Sequence, residues 1–354
     1  MRKPENILVI RFSSMGDILL TSPLVRILRS ALPNARIDFL VKSTFADLLK
    51  FNPHISSLIE VNSEDRNELD ELRKQIRKTR YDLILDLHNS LRSRWIRFGS
   101  RARNIRVVNK RVVPRFMLVK LKKNYYENIV PVVERYIETV ASLGINNDGK
   151  GLEVFIPEDL RSVVRSRFSR LHLDSSKTVI GLVPGAKHFT KRWPQERFVE
   201  FGKNIAGDSS TRILIFGGKD EADYCTDIAQ LMNTACGSNI AESFAGRLSL
   251  LETASAFDFC DVVVTNDTGL MHLAAARQKK IVAIFGSTVR EFGFFPYGVA
   301  HTVVENANLP CRPCSHIGLA ACPESHFKCM NEIAVADVIA ATRHLIGDAV
   351  ERSS

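Results

Sequence analysis

The most distinctive polar residues of this chain follow a run of four β-branched residues at positions 262–265. The turn residues that come next are Asn266, Asp267, Thr268 and Gly269. Residues 270–276 have a helical pattern, and a strand that turns directly into a helix brings free backbone N–H groups and a positive helix end to one point. Such a point can bind a phosphate or a sugar hydroxyl, and we expect Asp267 and His272 at its mouth. The alternative is an ordinary aspartate cap on an α/β unit.

A second group of candidate ligands follows the strand-like residues 178–183. It consists of Pro184, Gly185, Lys191 and Arg192. The glycine lets a ligand approach the backbone closely, and the two cations suit a diphosphate, although a solvated surface role is their alternative. Trp193 is expected to be a packing anchor in either case. At another strand end, Glu221 follows two glycines, and its carboxylate could accept two hydrogen bonds from a ribose diol.

A candidate general base follows the first strand-like segment, residues 6–12. We expect Gly16 to allow a tight turn and Asp17 to begin a helix, where the helix dipole stabilises the carboxylate. If Asp17 faces a cleft between domains, it could accept a proton from a substrate; a capping role is the alternative. The Gly-x-Gly-x-x-Gly pattern of dinucleotide sites does not occur in the sequence, which argues against a nicotinamide or flavin enzyme.

The sequence also bears on metals. No Asp-x-Asp pair occurs, and such a pair commonly holds the divalent ion of metal-dependent nucleotide-sugar enzymes. Lys191, Arg192 and the helix start near Asp267 could replace that ion, so we expect no metal cofactor. A possible structural cluster consists of Cys311, Cys314, Cys322 and Cys329. Its spacing matches no standard zinc finger, and both structural zinc and reduced or opportunistically paired thiols remain open.

The net charge of +10 is concentrated in one basic segment, residues 91–126, which contains twelve Lys or Arg residues and no Asp or Glu. Trp95, Phe98 and Phe116 are interleaved with the cations. Such a surface attracts phosphates on nucleic acid or on a membrane, and a solvated loop is the bland alternative. We favour a phosphorylated lipid and an anionic membrane over nucleic acid. Reversal of four cations is expected to abolish binding to vesicles, namely Arg97, Arg101, Arg103 and Lys122.

Length and pattern predict a two-domain α/β protein. The chain has 354 residues, more than the roughly 250–300 at which a single core stops growing. Strand-like segments at 6–12, 36–41, 57–61, 81–87 and 104–108, and later at 178–183, 212–216, 261–265 and 280–285, alternate with helical patterns that include 18–31, 45–51 and 127–143. This alternation indicates two Rossmann-like, doubly wound parallel-sheet domains facing a cleft, with a junction between 144–151 and 174–177. No signal peptide or bilayer-spanning run is apparent, and the uneven cysteines favour the cytoplasm.

The strand-end motifs together resemble those of glycosyltransferase family 9, the bacterial heptosyltransferases of the lipopolysaccharide inner core. The matching segments are 11–17, 184–186, 191–194, 266–272 and 285–288, and their order and spacing agree over nearly the whole chain. The resemblance implies a GT-B fold and an inverting, metal-independent transfer from ADP-heptose. The loop with the cysteines before the last helix looks more like that of the branch that adds the second heptose.

The resemblance also implies roles for single residues. Asp17 corresponds to the catalytic base, and acceptor binding falls on Ser14, Gly16 and Arg92. Donor binding falls on Pro184, Gly185, Lys191, Arg192, Glu221, Asp267, Thr268, Gly269 and His272. The expected domains are an acceptor-binding domain at 1–165, an ADP-sugar domain at 166–330 and a C-terminal helix at 331–354 that packs back towards the N-terminal domain.

The expected partners are an ADP-sugar donor, a phosphorylated lipid A-core acceptor and the cytoplasmic face of the inner membrane. Two other functions stay open from the residues. One is a non-catalytic protein that docks anionic glycolipid or nucleic acid, which would need neither Asp17 nor Lys191. The other is a nucleotide-sugar epimerase, which would leave the basic segment unexplained.

Overall fold

The computed structural model describes residues 3–62, 64–171, 173, 178–206 and 211–350, with side chains up to residue 347. It divides into two compact units. The first unit contains the chain up to Lys110 and Val130–Phe155, and the second contains Arg111–Ile129 and the chain from Ile156 onward. In the described ranges, no helix has the length and apolar content that crossing a membrane requires.

Each unit is built on one wholly parallel sheet, which confirms the expected α/β class. The first sheet has the order β3-β2-β1-β4-β5 and the second has the order β11-β10-β9-β6-β7-β8. The first sheet contains β1 (Asn6–Ile10), β2 (Arg36–Lys42), β3 (Ser57–Val61), β4 (Leu83–Asp86) and β5 (Asn104–Val107). The second contains β6 (Thr178–Val183), β7 (Thr211–Ile215), β8 (Ala241–Ser243), β9 (Val262–Asn266), β10 (Lys280–Phe285) and β11 (His301–Glu305).

Helices and short 3-10 turns connect the strands. The α-helices are α1 (Met15–Leu19), α2 (Ser22–Ala31), α3 (Arg66–Thr79), α4 (Leu91–Arg97), α5 (Val112–Leu121), α6 (Val132–Ile137), α7 (Glu158–Phe168), α8 (Gln195–Ile205), α9 (Ala222–Cys236), α10 (Leu250–Phe257), α11 (Gly269–Ala276), α12 (Lys328–Asn331) and α13 (Val335–Val350). The 3-10 helices are Ser43–Leu48, Glu138–Leu143, Ser169–Leu171, Phe189–Lys191, Lys219–Glu221 and Arg290–Phe292.

The central strands are buried because helices cover parallel sheets on both faces. In the first unit, Leu8 and Ile10 of β1 pack with Leu72 and Ile76 of α3. In the second unit, the indole of Trp193 is fully buried and meets the Phe198 ring edge-on, with 5.0 Å between the ring centroids. The prediction that Trp193 is a packing anchor is therefore confirmed.

Several helix boundaries differ from the sequence predictions. The single helix expected at 18–31 is two helices, α1 and α2, since Pro23 lies in the first turn of α2, where the missing N–H costs nothing. The helix expected at 127–143 begins only at Val132, directly after Pro131 at its N-cap, and continues as a 3-10 helix. The helix expected at 45–51 is the 3-10 helix Ser43–Leu48.

Five of the described α-helices and strands were not predicted, and one of them is the four-residue helix α12. α5 lies inside the basic segment, and α7 is a mainly polar helix whose only buried residues are Val164 and Phe168. β8 has only three residues, and β11 lies at the edge of its sheet. Neither strand contains a long apolar run that would have identified it in the sequence. Short or amphipathic segments of this kind are recognised by their packing partners, which the sequence does not show.

The units also differ from the expected domain boundaries. The basic segment is divided, because its part from Arg111 onward, with α5, belongs to the second unit. The final helix buries Val335 and Val338 in the core of the second unit, against α8, β9, β10 and β11, and its expected packing towards the N-terminal domain stays a prediction. The expected junction residues 174–177 lie outside the described residues.

Candidate functional site

In the first unit, Asp17 is held by two neighbours at the carboxyl end of β1. Arg11 Nη2 lies 2.6 Å from Asp17 Oδ1, and Ser14 Oγ donates a hydrogen bond of 2.7 Å to Oδ2. Burial by itself raises the pKa of Asp17, but the Arg11 charge and the Ser14 hydrogen bonds outweigh it, and the net pKa is lowered. Asp17 is therefore a carboxylate at neutral pH.

Arg11 and Tyr136 complete this carboxylate site, and the sequence reasoning gave neither a role. Arg11 Nη1 donates to the Leu87 carbonyl at 2.6 Å, and the Tyr136 hydroxyl donates to Asp17 Oδ1 at 3.4 Å. Burial by itself lowers the pKa of Arg11, but the Asp17 charge opposes this and the net pKa is raised. The guanidinium therefore stays charged. The sequence did contain a signal for this ion pair, namely Arg11, because a cation that directly follows the buried residues of a strand needs an anion nearby.

The residues expected to bind an acceptor have other partners in the structure. Ser14 is the N-cap of α1 and bonds Asp17. Gly16 lies inside α1 and does not have a positive φ, so the expected tight turn at this glycine is wrong. Arg92, in the first turn of α4, forms an ion pair with Glu64. Acceptor binding by these residues stays a prediction.

His88 is a further group near Asp17 that the sequence reasoning missed, and it is partly buried. Its ring contacts Phe12 edge-on, with centroids 5.0 Å apart. Burial, and then the Arg11 and Lys110 charges, lower the pKa of His88 to about 3, so the imidazole is neutral at neutral pH. Among the described residues, its buried Nδ1 has no hydrogen-bond partner.

In the second unit, Asp267 is the centre of a compact polar group after β9. Its Oδ2 lies 2.6 Å from Lys191 Nζ and accepts a 2.6 Å hydrogen bond from Thr288 Oγ1. Thr288 follows β10, so three loops at the carboxyl end of this sheet meet at one carboxylate. The structure thus brings together Lys191 and Asp267, two of the residues predicted from separate motifs.

Asn266 and Glu221 connect this group to the neighbouring strand ends. The Asn266 side-chain amide donates to the Pro184 carbonyl at 2.7 Å, and its Oδ1 accepts a hydrogen bond from the backbone N–H of Trp193 at 3.2 Å. Glu221 lies against Gly185, where an added Cβ would come within 2.1 Å of Glu221 Oε1. Glycine at 185 is therefore required for this placement of the Glu221 carboxylate.

The other predicted donor residues are placed as follows. Thr268 is the N-cap of α11, and Gly269 begins that helix. His272 and Asp267 are buried, with relative exposures of 3% and 7%, so the expectation that they lie at the mouth of the site is wrong. His272 belongs to a helix whose residues 270–276 are all buried. Arg192 Nε donates to the Ala186 carbonyl at 2.6 Å.

The cysteine loop, residues 311–327, braces this site. Arg312 Nη2 donates to the Thr288 carbonyl at 2.7 Å, and it also pairs with Glu305 at 2.6 Å. Farther along the loop, the Leu319 N–H donates to Thr190 Oγ1 at 2.8 Å, next to Lys191. The backbone that carries Thr288 and Lys191 is therefore tied to the same loop.

The cysteines themselves are free thiols in the structure. Burial raises the pKa of Cys314, and it raises the pKa of Cys329 to about 12, which keeps both thiols protonated at neutral pH. Over the described ranges, no group of three or more His, Cys, Asp or Glu residues is placed to hold a metal ion. Structural zinc at these cysteines stays an untested hypothesis.

The model of glycosyltransferase family 9 (heptosyltransferase) matches residues 69–323. Lipopolysaccharide heptosyltransferase 2 of Escherichia coli (strain K12) is 28% identical over 313 residues, covering 81% of this chain and 84% of that protein.

Solved structures show the same fold. The structure of E. coli ADP-heptose lps heptosyltransferase II matches with a TM-score of 0.71 and 23% identity over 99% of this chain and 100% of that one. A glycosyl transferase family 9 structure from Veillonella parvula DSM 2008 matches with a TM-score of 0.78 and 23% identity over 97% of both chains. The two parallel-sheet units are thus those of the GT-B fold.

Proposed function

The chain belongs to glycosyltransferase family 9, and from this premise we propose that it transfers heptose from ADP-heptose to the lipopolysaccharide inner core, as a heptosyltransferase of the second-heptose type. The chain is a glycosyltransferase, so the non-catalytic docking protein and the epimerase are not retained. The observation that carries the finer proposal is the polar group of the second unit. It combines Lys191, the start of α11 and the Glu221 carboxylate at adjoining strand ends.

In the proposed donor complex, these groups hold ADP. Lys191, Arg192 and the N–H groups at the start of α11 bind the diphosphate, and Glu221 accepts hydrogen bonds from the ribose hydroxyls. Asp267 holds the Lys191 ammonium in position and is itself fixed by Thr288. The positive charge stabilises the departing ADP, which takes the electron pair of the bond between the anomeric carbon and the phosphate oxygen. This electrostatic stabilisation is usually the largest contribution to such catalysis.

Asp17 is proposed as the general base. The acceptor hydroxyl forms its bond to the anomeric carbon and transfers its proton to the Asp17 carboxylate, and the configuration at that carbon inverts. The lowered pKa of Asp17 keeps the base ionised, but it also makes the base weak. Proton transfer is therefore expected late in the reaction, when the attacking oxygen has become acidic. Arg11 and Tyr136 orient the carboxylate.

No divalent ion is needed in this scheme, because Lys191 and Arg192 supply the positive charge at the diphosphate. The test is a panel of nucleotide sugars offered to the purified protein, with the melting temperature and sugar transfer as readouts. ADP-heptose should raise the melting temperature and be transferred to a core acceptor carrying one heptose, with and without EDTA. Preference for a UDP-sugar would refute the donor assignment. Loss of activity in EDTA that Mg²⁺ restores would refute the metal-free mechanism.

A further inference from the structure

Helix α5 has an exposed apolar side. Val113 is 72% exposed and Phe116 is 57% exposed, while Leu118 on the opposite side is buried. Val113 and Phe116 are three residues apart and therefore lie on one face of the helix. A surface helix ordinarily turns its apolar face to the core. α5 has apolar residues on both sides, so one apolar side stays exposed, and this marks the exposed face as a contact surface.

The same face is strongly basic. Lys120 lies four residues after Phe116, Arg115 borders the face, and Lys123 follows the helix together with the exposed Tyr125. The whole basic segment, residues 91–126, contains no acidic side chain. Apolar side chains bordered by cations are the arrangement of helices that lie in the interface of an anionic membrane.

α5 is also fixed to the second unit. Lys122 Nζ donates to the Cys311 and Pro313 carbonyls at 2.9 and 2.7 Å, and Asn124 Nδ2 donates to Glu291 Oε1 at 2.9 Å. These contacts hold the C-terminal end of the helix against the cysteine loop. Because the Lys122 contacts fix the end of the helix, they also fix its rotation, and Val113 and Phe116 point outward as a result.

We propose that α5 docks the protein on an anionic lipid surface, with Val113 and Phe116 inserted among the headgroups. Arg115, Lys120 and Lys123 would contact the lipid phosphates. The inference rests on the proposed function only in that a lipid-linked acceptor would lie in such a surface. A nucleic acid is less suitable, because exposed valines offer bases neither stacking nor hydrogen bonds.

The structure shows that a different set of cations should be substituted to test membrane docking. The sequence suggested reversing Arg97, Arg101, Arg103 and Lys122 together. Arg97 lies 3.4 Å from Asp86, and Arg103 lies 3.3 Å from Asp82. Lys122 binds backbone carbonyls. Reversing these residues would damage existing contacts, so a loss of binding could not be assigned to the lipid surface.

The experiment uses the full chain and sedimentation with vesicles of phosphatidylcholine, with or without phosphatidylglycerol. One variant carries Arg115→Glu and Lys120→Glu, and another carries Val113→Ser and Phe116→Ser. Matched controls change exposed residues of the same charge or apolar character elsewhere in the second unit. These controls are Lys203→Glu with Arg343→Glu, and Val163→Ser with Leu231→Ser.

The wild type and both controls should bind the vesicles that contain phosphatidylglycerol. Each cation near an anionic surface strengthens binding by about fivefold, so removing two should weaken it by roughly 30-fold or more. The serine variant should also bind more weakly, and salt should weaken the remaining electrostatic binding. The melting-temperature increase with ADP-heptose should be the same in all variants.

Three results would overturn the proposal. One is vesicle binding by both α5 variants as strong as that of the wild type. The second is a wild type that does not bind these vesicles but forms dimers that the serine variant cannot form. The third is a wild type that binds an oligonucleotide in preference to vesicles. Failure of the proposed function looks different, because a protein without ADP-heptose transfer would still show the vesicle result.

Discussion

Replacing Asp17 with asparagine tests the mechanism most directly. The amide keeps the size of the side chain and can still accept hydrogen bonds from Ser14, but it cannot accept the proton of the acceptor hydroxyl. A positioned general base contributes about 10²- to 10⁴-fold to a rate. We expect kcat to fall by a factor in that range in a transfer assay with ADP-heptose, while the donor raises the melting temperature as before.

The same substitution should lower stability, because it leaves Arg11 without its anion. Removing one partner of a buried ion pair costs about 3–5 kcal/mol. The side chains of Arg11 and Asp17 retain relative exposures of 9% and 16%, and Arg11 keeps its bond to the Leu87 carbonyl. We therefore expect a loss of roughly 1–3 kcal/mol in denaturant unfolding, below the fully buried range. Ser14→Ala is the matched control, since it removes the 2.7 Å hydrogen bond but keeps both charges.

The pH dependence supplies a second readout. The pKa of Asp17 is lowered in the folded protein, so its contribution to stability is complete above its unfolded pKa of about 3.9 and is lost as the pH falls through the folded value. In a pH profile, the decrease of kcat on the acid side (the acid limb) should therefore lie below about pH 4. Arg11→Met should move that limb to higher pH, because only the Ser14 hydrogen bonds, and no longer the Arg11 charge, then oppose the rise in the Asp17 pKa that burial causes. An Asp17→Asn enzyme within a few-fold of wild-type kcat would show that another group is the base.

Three further predictions concern the donor site. Lys191→Ala should weaken ADP binding by about 1.5–3 kcal/mol, the range for a hydrogen bond to a charged group, and unchanged affinity in calorimetry would contradict the diphosphate assignment. Gly185→Ala should displace Glu221, since the new Cβ would meet its carboxylate at 2.1 Å. The variant should fold normally yet lose nucleotide affinity to the extent that Glu221→Ala does, as measured by the same titration. Thr288→Val removes the 2.6 Å hydrogen bond to buried Asp267 and should cost about 1–3 kcal/mol in unfolding and raise the donor KM, whereas Thr288→Ser should restore both.

Much of the fold was predictable because its signals are local. A run such as Ile7–Ile10 can only be buried, and alternation of such runs with helical patterns specifies two parallel sheets. Helix starts were less predictable. Pro23 and Pro131 moved two of them, and α5 lacked the polar side that usually identifies a surface helix.

The candidate site divides in the same way. The sequence by itself determined which polar residues follow the strands, because the carboxyl ends of parallel strands meet at one edge of a sheet. Lys191 and Asp267 were named on that basis. Only the tertiary structure decided that they form an ion pair, that Arg11 neutralises Asp17, that His272 is buried and that α5 belongs to the second unit. These are contacts between residues distant in sequence, and a side chain's partner and burial depend on packing that no local pattern encodes.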